Sequence, residues 1–394
     1  MLEARQRSRS KRFLLTALLV LGLSTFGLAL AEGLISLSLL AVDLASAPSL
    51  PEKQKHSQYD RELGWVSVPN VYLRDMYGPG VWLQTNAQGF RANRSFLREP
   101  PPGMVRVVCS GDSFTLGFGV SNDETWCQRL NDLDPRIEPV NMGQSGYSLG
   151  QAYLWYRREE PKLVHDIHVF AFIWNDFARM TLRTFNGYHK PVMTVRNGEL
   201  HVENVPVPHS SHARPVLTSW LLRTRQTLSD LRIGELGRRM RARLGDDERA
   251  TNLMAQRTWE VAEKIFDALA EHHRKNGSLL VLLHLPSTED TKYAAAQQWD
   301  AWLRAYARLK GVPYVDLGPA LRQLPMDSAA AIFGTHLHYA REGNAWVARE
   351  LYDRLLRTPE IERRLNAVAE PIPAKGQVPS SSQLRGNTGL GPAH

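Results

Sequence analysis

Cysteine is scarce in this sequence: Cys109 and Cys127 are the only two in 394 residues. So few cysteines exclude a small scaffold held together by disulfides and any cysteine-rich zinc module. The sequence also lacks an internal repeat, and hydrophobic and charged residues make up an ordinary 43% and 22% of it. That composition excludes a chain disordered throughout, a coiled coil and a membrane protein of many spans. The length permits two or three domains, or one large α/β domain with extensions.

Negative charge is the scarcer sign, with 40 acidic against 48 basic residues and a net charge of +8. Taken alone, this excess is typical of a protein that binds nucleic acid or a membrane surface. Half of it lies in residues 1–12, where five basic side chains and one acidic side chain give a net +4. A second basic stretch, Arg223–Arg243, predicts either an amphipathic helical insertion that contacts anionic lipid or glycan, or a solvated helix face.

An uncharged run of 19 residues, 13–31, follows the basic segment. About 18 apolar residues can cross a bilayer as a helix, and positive residues before them predict a cytoplasmic N-terminus. We therefore predict a single-pass signal anchor over 13–42 in the inner, cytoplasmic membrane, with the rest of the chain on the extracytoplasmic, periplasmic side. The alternatives are a signal peptide cleaved at Ala29-Leu30-Ala31 and a buried core helix.

The body of the chain alternates between apolar runs typical of buried strands and stretches typical of helices. The predicted strands are Met104–Cys109, Ile137–Val140, Ile167–Ile173, Leu279–Leu285 and Pro313–Leu317. This alternation predicts an α/β fold, with a mainly parallel sheet covered by helices on both faces as a three-layer α/β/α sandwich. Ligands of such sheets bind beyond the carboxyl ends of the strands, so the residues that follow each strand are the candidates for a site.

Residues suited to acyl transfer stand at those positions. Ser113, in Gly111-Asp112-Ser113-Phe114, follows the first strand, where a strand-to-helix turn exposes a nucleophilic hydroxyl. His338 lies near the end of the domain and can accept the proton of the serine. Gly146 follows the second strand and Asn175 the third. The N–H groups of Ser113 and Gly146, with the side-chain amide of Asn175, can form an oxyanion hole.

Four blocks of sequence, around Ser113, Gly146, Asn175 and His338 in this order, resemble those of the SGNH hydrolases, also called GDSL-type esterases. The resemblance runs from about Val105 to Leu356. Two motifs before it, Tyr59-Asp60-x-x-Leu63-Gly64-Trp65 and Thr85-Asn86-x-x-Gly89-Phe90-Arg91, resemble those of the membrane-anchored bacterial members of the family. The resemblance implies an SGNH/flavodoxin-like fold and ester hydrolysis with Ser113 as nucleophile and His338 as general base. We expect no cofactor, and no metal, because His336 and His338 have no third ligand at a useful spacing.

The chain departs from the family pattern at two positions. The family usually carries an aspartate three residues before the histidine to orient its imidazole, and Thr335 stands there in this sequence. Thr335, the neighbouring His336 or a backbone carbonyl is a candidate orienting group, and a remote acid, Asp316 or Asp327, is the alternative. Ile173 stands where the family usually has glycine.

We predict a membrane-anchored extracytoplasmic serine esterase that removes an acetyl or similar acyl group, plausibly from a cell-envelope or exopolysaccharide glycan. One alternative is an O-acetyltransferase on the same glycans, and another is a catalytically impaired SGNH-fold protein that binds a glycan or a partner. Nucleic acid is not an expected partner. The predicted segments are a basic segment (1–12), the anchor (13–42), a linker and lead-in (43–103), the hydrolase domain (104–358, with an insertion over about 185–245) and a disordered tail (365–394).

Two further interpretations concern cysteine and tryptophan. Cys109 lies in a predicted strand and Cys127 in the helix after it. An exported compartment permits a disulfide between them, but two buried thiols are the favoured interpretation. Trp155 and Trp174 are candidates to line an acyl or sugar pocket.

Overall fold

The computed structural model describes residues 16–27, 56–186, 188–208, 246–288, 295–334 and 337–369. The chain divides into two compact units, Met1–Gln54 and Lys55–His394. In the first unit, the described residues form a helix, α1, over 16–27, inside the predicted anchor. No helix among the described residues is long and apolar enough to cross a membrane. The rest of the predicted anchor and the basic stretch Arg223–Arg243 lie outside the described residues.

The strands of the second unit form one central five-stranded sheet and four short two-stranded hairpins among the described residues. The lead-in hairpins are β1 (Ser57–Asp60) with β2 (Gly64–Ser67) and β3 (Tyr72–Leu73) with β4 (Leu83–Gln84). The sheet contains β5 (Val105–Ser110), β6 (Ile137–Asn141), β7 (Ile167–Phe172), β12 (Leu279–His284) and β13 (Tyr314–Asp316). Between β7 and β12 come the hairpins β8 (Thr184–Phe185) with β9 (Tyr188–His189) and β10 (Val192–Arg196) with β11 (Glu199–Glu203).

The five strands of the central sheet are all parallel and lie in the order β13-β12-β7-β5-β6. Counted from β6 this is the 2-1-3-4-5 order of flavodoxin-like folds, which confirms the predicted α/β class. The direction of strand addition reverses between β5 and β7. In such sheets the crevice at the carboxyl ends of the two strands beside that reversal is where ligands bind.

Helices cover both faces of the sheet, so the predicted three-layer sandwich is confirmed. One layer holds α4 (Leu149–Glu159), α6 (Asp246–Asn276) and α7 (Ala295–Lys310); the other holds α3 (Arg129–Leu133), α10 (Arg341–Leu356) and α11 (Pro359–Ala369). The short helices α2 (Ser113–Leu116), α5 (Asn175–Arg179), α8 (Gly318–Gln323) and α9 (Met326–Ile332) lie in the connections. Every residue of β5 and β7 is buried, because both faces are covered.

Three details of the sequence interpretation are wrong. Cys109 and Cys127 are not separate thiols but form a disulfide, because the turn that carries Cys127 packs against β5 with the two Cα atoms 6.3 Å apart. Residues 365–369 do not belong to a tail: they continue α11, whose Leu365 is buried in the core. Trp155 does not line a pocket, since it is only 3% exposed in the core beside Phe90. Residues 370–394 lie outside the described residues.

Candidate active site

The turn that carries Ser113 is tightly built. Ser113 is the first residue of α2 and follows β5 after two residues. Asp112 caps this helix, because its Oδ1 accepts a hydrogen bond from the Phe114 amide at 2.9 Å. Gly111 allows no side chain: a Cβ there would lie 2.4 Å from Thr115 Oγ1 and 2.6 Å from the Ala171 carbonyl oxygen. The turn therefore places the Ser113 hydroxyl at the carboxyl end of β5.

The structure brings Ser113 and His338 together. Ser113 Oγ lies 2.8 Å from Nε2 of His338. Two aromatic rings flank the imidazole: Phe114 at a centroid distance of 4.6 Å and an interplanar angle of 32°, and Phe118 at 4.7 Å and 37°. Because both tilted rings lie in contact with the imidazole, they limit its rotation about χ2. The sequence does not predict that Phe114 and Phe118 contact His338, because more than 200 positions of the chain separate them from it.

Neither of the two remote acids considered from the sequence contacts His338 within the described residues. Asp316 instead accepts hydrogen bonds from His284 Nδ1 at 2.7 Å and from Arg304 Nη2 at 2.6 Å. Asp327 is exposed on α9 and, among the described residues, makes no hydrogen bond to His338. The sequence alternative of a remote carboxylate is therefore wrong for both acids. The other two candidates, Thr335 and His336, lie outside the described residues.

Two backbone N–H groups beside the serine are available to a ligand. Within the described part of the protein, the N–H groups of Ser113 and Gly146 donate no hydrogen bond. The loop of Gly146 is joined to the nucleophile turn, because the Gln144 amide donates to the Gly111 carbonyl at 3.1 Å. Asn175, the third predicted member of the oxyanion hole, is exposed at the start of α5, directly after β7. All three residues thus lie at the carboxyl ends of β5, β6 and β7.

The Gly146 position accepts glycine alone. Its φ of 72° lies in the left-handed region, and an added Cβ would come within 2.7 Å of the Phe185 ring. Phe185 belongs to the β8–β9 hairpin, so this hairpin covers one side of the loop. The glycine of the second block therefore serves both the backbone conformation and the close approach of this ring.

The first lead-in motif holds the Gly146 loop in place. Trp65 Nε1 donates to the Ser145 carbonyl at 2.8 Å, and Tyr147 Oη donates back to the Trp65 carbonyl at 2.6 Å. Ser67 Oγ lies 3.0 Å from Gln144 Oε1 in the same loop. The motif was recognised in the sequence by resemblance, but these contacts span about 80 residues and no local pattern predicts them.

The second lead-in motif fixes the segment that follows the nucleophile helix. Arg91 is 1% exposed, and its Nη1 donates to the carbonyls of Leu116 at 2.6 Å and Gly117 at 2.5 Å. Its Nη2 donates to the carbonyl of Val120. Phe118 lies between Gly117 and Val120 in the chain. Arg91 therefore fixes the segment that carries one of the two rings that flank His338.

A buried charged cluster joins the nucleophile turn to the third block. Arg179 Nη1 lies 2.8 Å from Asp176 Oδ1 and 3.3 Å from Asp112 Oδ2. Burial and the neighbouring Asp112 raise the pKa of Asp176 well above its usual value, against the opposing effect of Arg179. Lys190 Nζ donates to the Arg179 carbonyl at 2.7 Å, and burial lowers the pKa of Lys190 to about 7. Arg179 and Lys190 were not singled out in the sequence.

The second departure from the family pattern does not disturb the site. Ile173 is 2% exposed and packs into the core formed with α10 and α11. Its amide donates to Asp176 Oδ2 at 3.1 Å, which holds the turn before Asn175.

Trp174, predicted to line a pocket, is half-buried, with its ring 4.2 Å from that of His284. Across the described residues, no group of three or more His, Cys, Asp or Glu side chains could hold a metal ion.

Comparison with known proteins gives structural matches only. No family model matches the chain, and a search of the curated proteins found no significant match. A member of the lipolytic protein G-D-S-L family from Veillonella parvula DSM 2008 matches at 13% identity and a TM-score of 0.34, over 63% of this chain and 97% of that one. A psychrotrophic esterase from Pseudoalteromonas sp. matches at 11% identity and a TM-score of 0.37, over 66% and 98%. An acetyl xylan esterase matches at 14% identity and a TM-score of 0.34, over 64% and 99%. Likeness at this level assigns neither family nor activity to the chain.

Proposed function

We propose that this chain is a serine esterase of the SGNH type. The observation that carries the proposal is the 2.8 Å contact between Ser113 Oγ and His338 Nε2. Beside it stand the N–H groups of Ser113 and Gly146, which the described protein leaves available. A hydroxyl within reach of a base and two N–H donors near one strand end are the parts that acyl transfer requires.

The acylation step follows from this arrangement. Ser113 Oγ attacks the ester carbonyl carbon while His338 Nε2 accepts the hydroxyl proton. The carbonyl oxygen becomes an oxyanion, which the N–H groups of Ser113 and Gly146 and the amide of Asn175 stabilise. The intermediate then collapses: the C–O bond to the alcohol breaks, and His338 gives its proton to the leaving oxygen. The products of this step are a free alcohol and Ser113 in ester linkage to the acyl group.

Deacylation repeats the chemistry with water. His338 accepts a proton from the water that attacks the acyl carbon, and it returns that proton to Ser113 Oγ as the carboxylic acid leaves. If a sugar hydroxyl replaces the water, the same acyl-enzyme performs O-acetyl transfer. We propose hydrolysis as the principal reaction, because water needs no acceptor site of its own.

We further propose that the chain is anchored in the cytoplasmic membrane by 13–42 and acts on acetylated glycans of the cell envelope. The basic segment before the apolar run supports this orientation. The disulfide between Cys109 and Cys127 supports an oxidising compartment outside the cytosol. Acetyl is proposed as the acyl group because the rings of Phe114, Phe118 and Phe185 crowd the surroundings of Ser113, His338 and Gly146.

The proposed activity is tested with p-nitrophenyl acetate and O-acetylated xylan as substrates. We expect the full chain, purified in mild detergent, to release acetate from both, and the Ser113→Ala variant to release none above background. An added oligosaccharide acceptor, with acetyl transfer followed by mass spectrometry, separates hydrolysis from transfer. Release of acetate at the same rate by Ser113→Ala would contradict the mechanism.

The proposed topology has its own test. Alkaline phosphatase fused after His394 should be active, because it folds with its disulfides outside the cytosol, and green fluorescent protein at the same place should be dark. The reverse pattern would contradict the proposed orientation.

A further inference from the structure

A small cavity of about 190 Å³ lies in the lead-in, on a surface that the proposed reaction does not use. It is formed by the β3–β4 hairpin and the segment Asn93–Ser95. Its polar lining includes Asn70, Tyr72, Gln84, Asn93, Arg94 and Ser95. Convergent polar side chains in a concave site can fix the orientation of a small polar ligand.

The lining keeps hydrogen-bonding groups that the described protein does not use. The side-chain amides of Asn70 and Gln84 make no hydrogen bond to any described residue, so each offers an acceptor oxygen and an N–H₂ donor. Asn93 Oδ1 accepts from Asn122 Nδ2 at 2.9 Å, and its own N–H₂ group makes no bond within the described residues. Paired donors and acceptors of this kind match neighbouring hydroxyl groups on a sugar ring.

An aromatic ring stands at the edge of the cavity. Tyr72 is 58% exposed and leans on Trp82 at a centroid distance of 5.8 Å. The backbone of Trp82 is fixed, because its N–H donates to Ser121 Oγ at 3.3 Å. An exposed aromatic ring that packs on a second ring is suited to contact with the C–H face of a sugar.

The charge at the cavity is positive. Arg94 is 56% exposed in its side chain and pairs with Glu138 Oε1 at 2.6 Å. The other oxygen of Glu138 pairs with the fully buried Arg106 at 2.7 Å, so two guanidinium groups share one carboxylate. No acidic residue lines the cavity. These three side chains together carry a net positive charge, Arg94 is the exposed member, and a guanidinium binds a carboxylate strongly.

We propose that this cavity is a sugar-binding subsite that takes a saccharide unit carrying a carboxylate, a uronic acid. Tyr72 packs on the ring, the amides of Asn70, Gln84 and Asn93 bind its hydroxyls, and Arg94 binds its carboxylate. The inference rests on the proposed function in one respect, since it names the class of glycan that the esterase acts on. Asn122 joins the cavity to the site: it contacts Asn93 on one side and Arg91, which holds the Phe118 loop, on the other.

The test measures binding of two oligosaccharides to the full chain in mild detergent by calorimetry. The probes are a galacturonic acid hexamer and the neutral maltohexaose. We expect the uronate hexamer to bind at least about tenfold more tightly than maltohexaose. Arg94→Gln should remove this difference, and Tyr72→Ala should weaken both probes by about tenfold. Arg98→Gln is the matched control. It removes the same charge from a side chain that is 69% exposed and lies outside the cavity.

Equal binding of the two probes, or binding by Arg94→Gln and Tyr72→Ala as tight as in the unmodified chain, would overturn the subsite. A loss of uronate binding in Arg98→Gln equal to that in Arg94→Gln would also overturn the subsite, because it would show that any removed positive charge weakens binding. Hydrolysis of p-nitrophenyl acetate, a substrate with no sugar, is measured on the same samples and should not change in any of the three variants. Absence of that hydrolysis in the unmodified chain would contradict the proposed esterase and leave the sugar measurement standing.

Discussion

Ser113 Oγ and His338 Nε2 lie 2.8 Å apart, although 225 positions of the chain separate the two residues. The first stands at the end of β5, and the second directly precedes α10 on the face opposite to α4 and α6. The contact therefore forms only when the sheet and its second helical layer are assembled. Because the hydroxyl and the imidazole act as one unit, removing either should abolish the same step.

The first prediction concerns this unit. Ser113→Ala and His338→Ala should each lower kcat/KM for p-nitrophenyl acetate by at least about 10³-fold. The double variant should be no slower than the slower single variant, because neither group works without the other. Steady-state kinetics on the three proteins provide the measurement. Multiplying losses in the double variant would mean that the two residues act in separate steps.

The second prediction concerns the rings that flank the imidazole. Phe118→Leu should lower kcat by about tenfold with little change in KM, because a misplaced base transfers protons poorly while substrate contacts remain. Phe90→Leu is the control, since Phe90 is a buried ring of the core that packs against Trp155 and does not contact His338 in the described structure. It should lower stability without lowering kcat. A Phe118→Leu enzyme with normal kcat would show that the imidazole is oriented by other groups alone.

The third prediction concerns the oxyanion hole. Gly146→Ala should lower kcat by about 10²–10³-fold, because the added Cβ meets Phe185 and moves the N–H donor. Gly198→Ala is the matched control. Gly198 also has a positive φ, of 80°, but no atom lies within 4 Å of its added Cβ. Both changes cost about 1–2 kcal/mol of backbone strain, and only the first should affect kcat. An equal loss of kcat in Gly146→Ala and Gly198→Ala would mean that reduced stability, and not a displaced N–H donor, causes the effect.

The fourth prediction concerns Lys190 and pH. Burial lowers the pKa of Lys190 from 10.5 to about 7 in the folded protein, while the unfolded chain keeps the ordinary value. Between these two values the unfolded state binds more protons, so the free energy of unfolding rises with pH by up to about 1.4 kcal/mol per unit. This contribution is complete above pH 10.5 and is lost as the pH falls through 7.

Denaturant unfolding at several pH values tests this statement. Between pH 7 and 10.5 the free energy of unfolding of Lys190→Met should rise less steeply than that of the unmodified chain, by up to about 1.4 kcal/mol per pH unit. Lys162→Met, at an exposed lysine, should keep it. A pH dependence that is the same in all three proteins would mean that Lys190 does not titrate in this range.

Local features of the sequence predict the sheet well. Strands such as β5, β7 and β12 are continuous apolar runs, because a parallel sheet covered on both faces has no polar side. The pair Asn197-Gly198 is a typical hairpin signal, and it joins β10 to β11 with positive φ values at both residues, which suit a tight two-residue turn. Ser113 and His338 were predicted as partners from their motifs, and the structure places them in contact.

The contacts that support the site could not be read from the sequence. Arg91 is a charged residue, and such residues are almost never fully buried unless they are paired. Its burial depends on carbonyl groups that the nucleophile helix brings to it. The bond from Trp65 to the Ser145 carbonyl and the Cys109–Cys127 disulfide likewise depend on distances between segments, which local periodicity does not contain.

The central claim is that Ser113 is the nucleophile, and active-site labelling tests it most directly. The full chain in mild detergent is treated with a fluorophosphonate probe, which phosphonylates activated serines, and the modified peptide is identified by mass spectrometry. We predict one stoichiometric adduct on Ser113, slow or absent labelling in His338→Ala, and none in Ser113→Ala. An adduct on another serine, or labelling that persists in Ser113→Ala, would contradict the assignment.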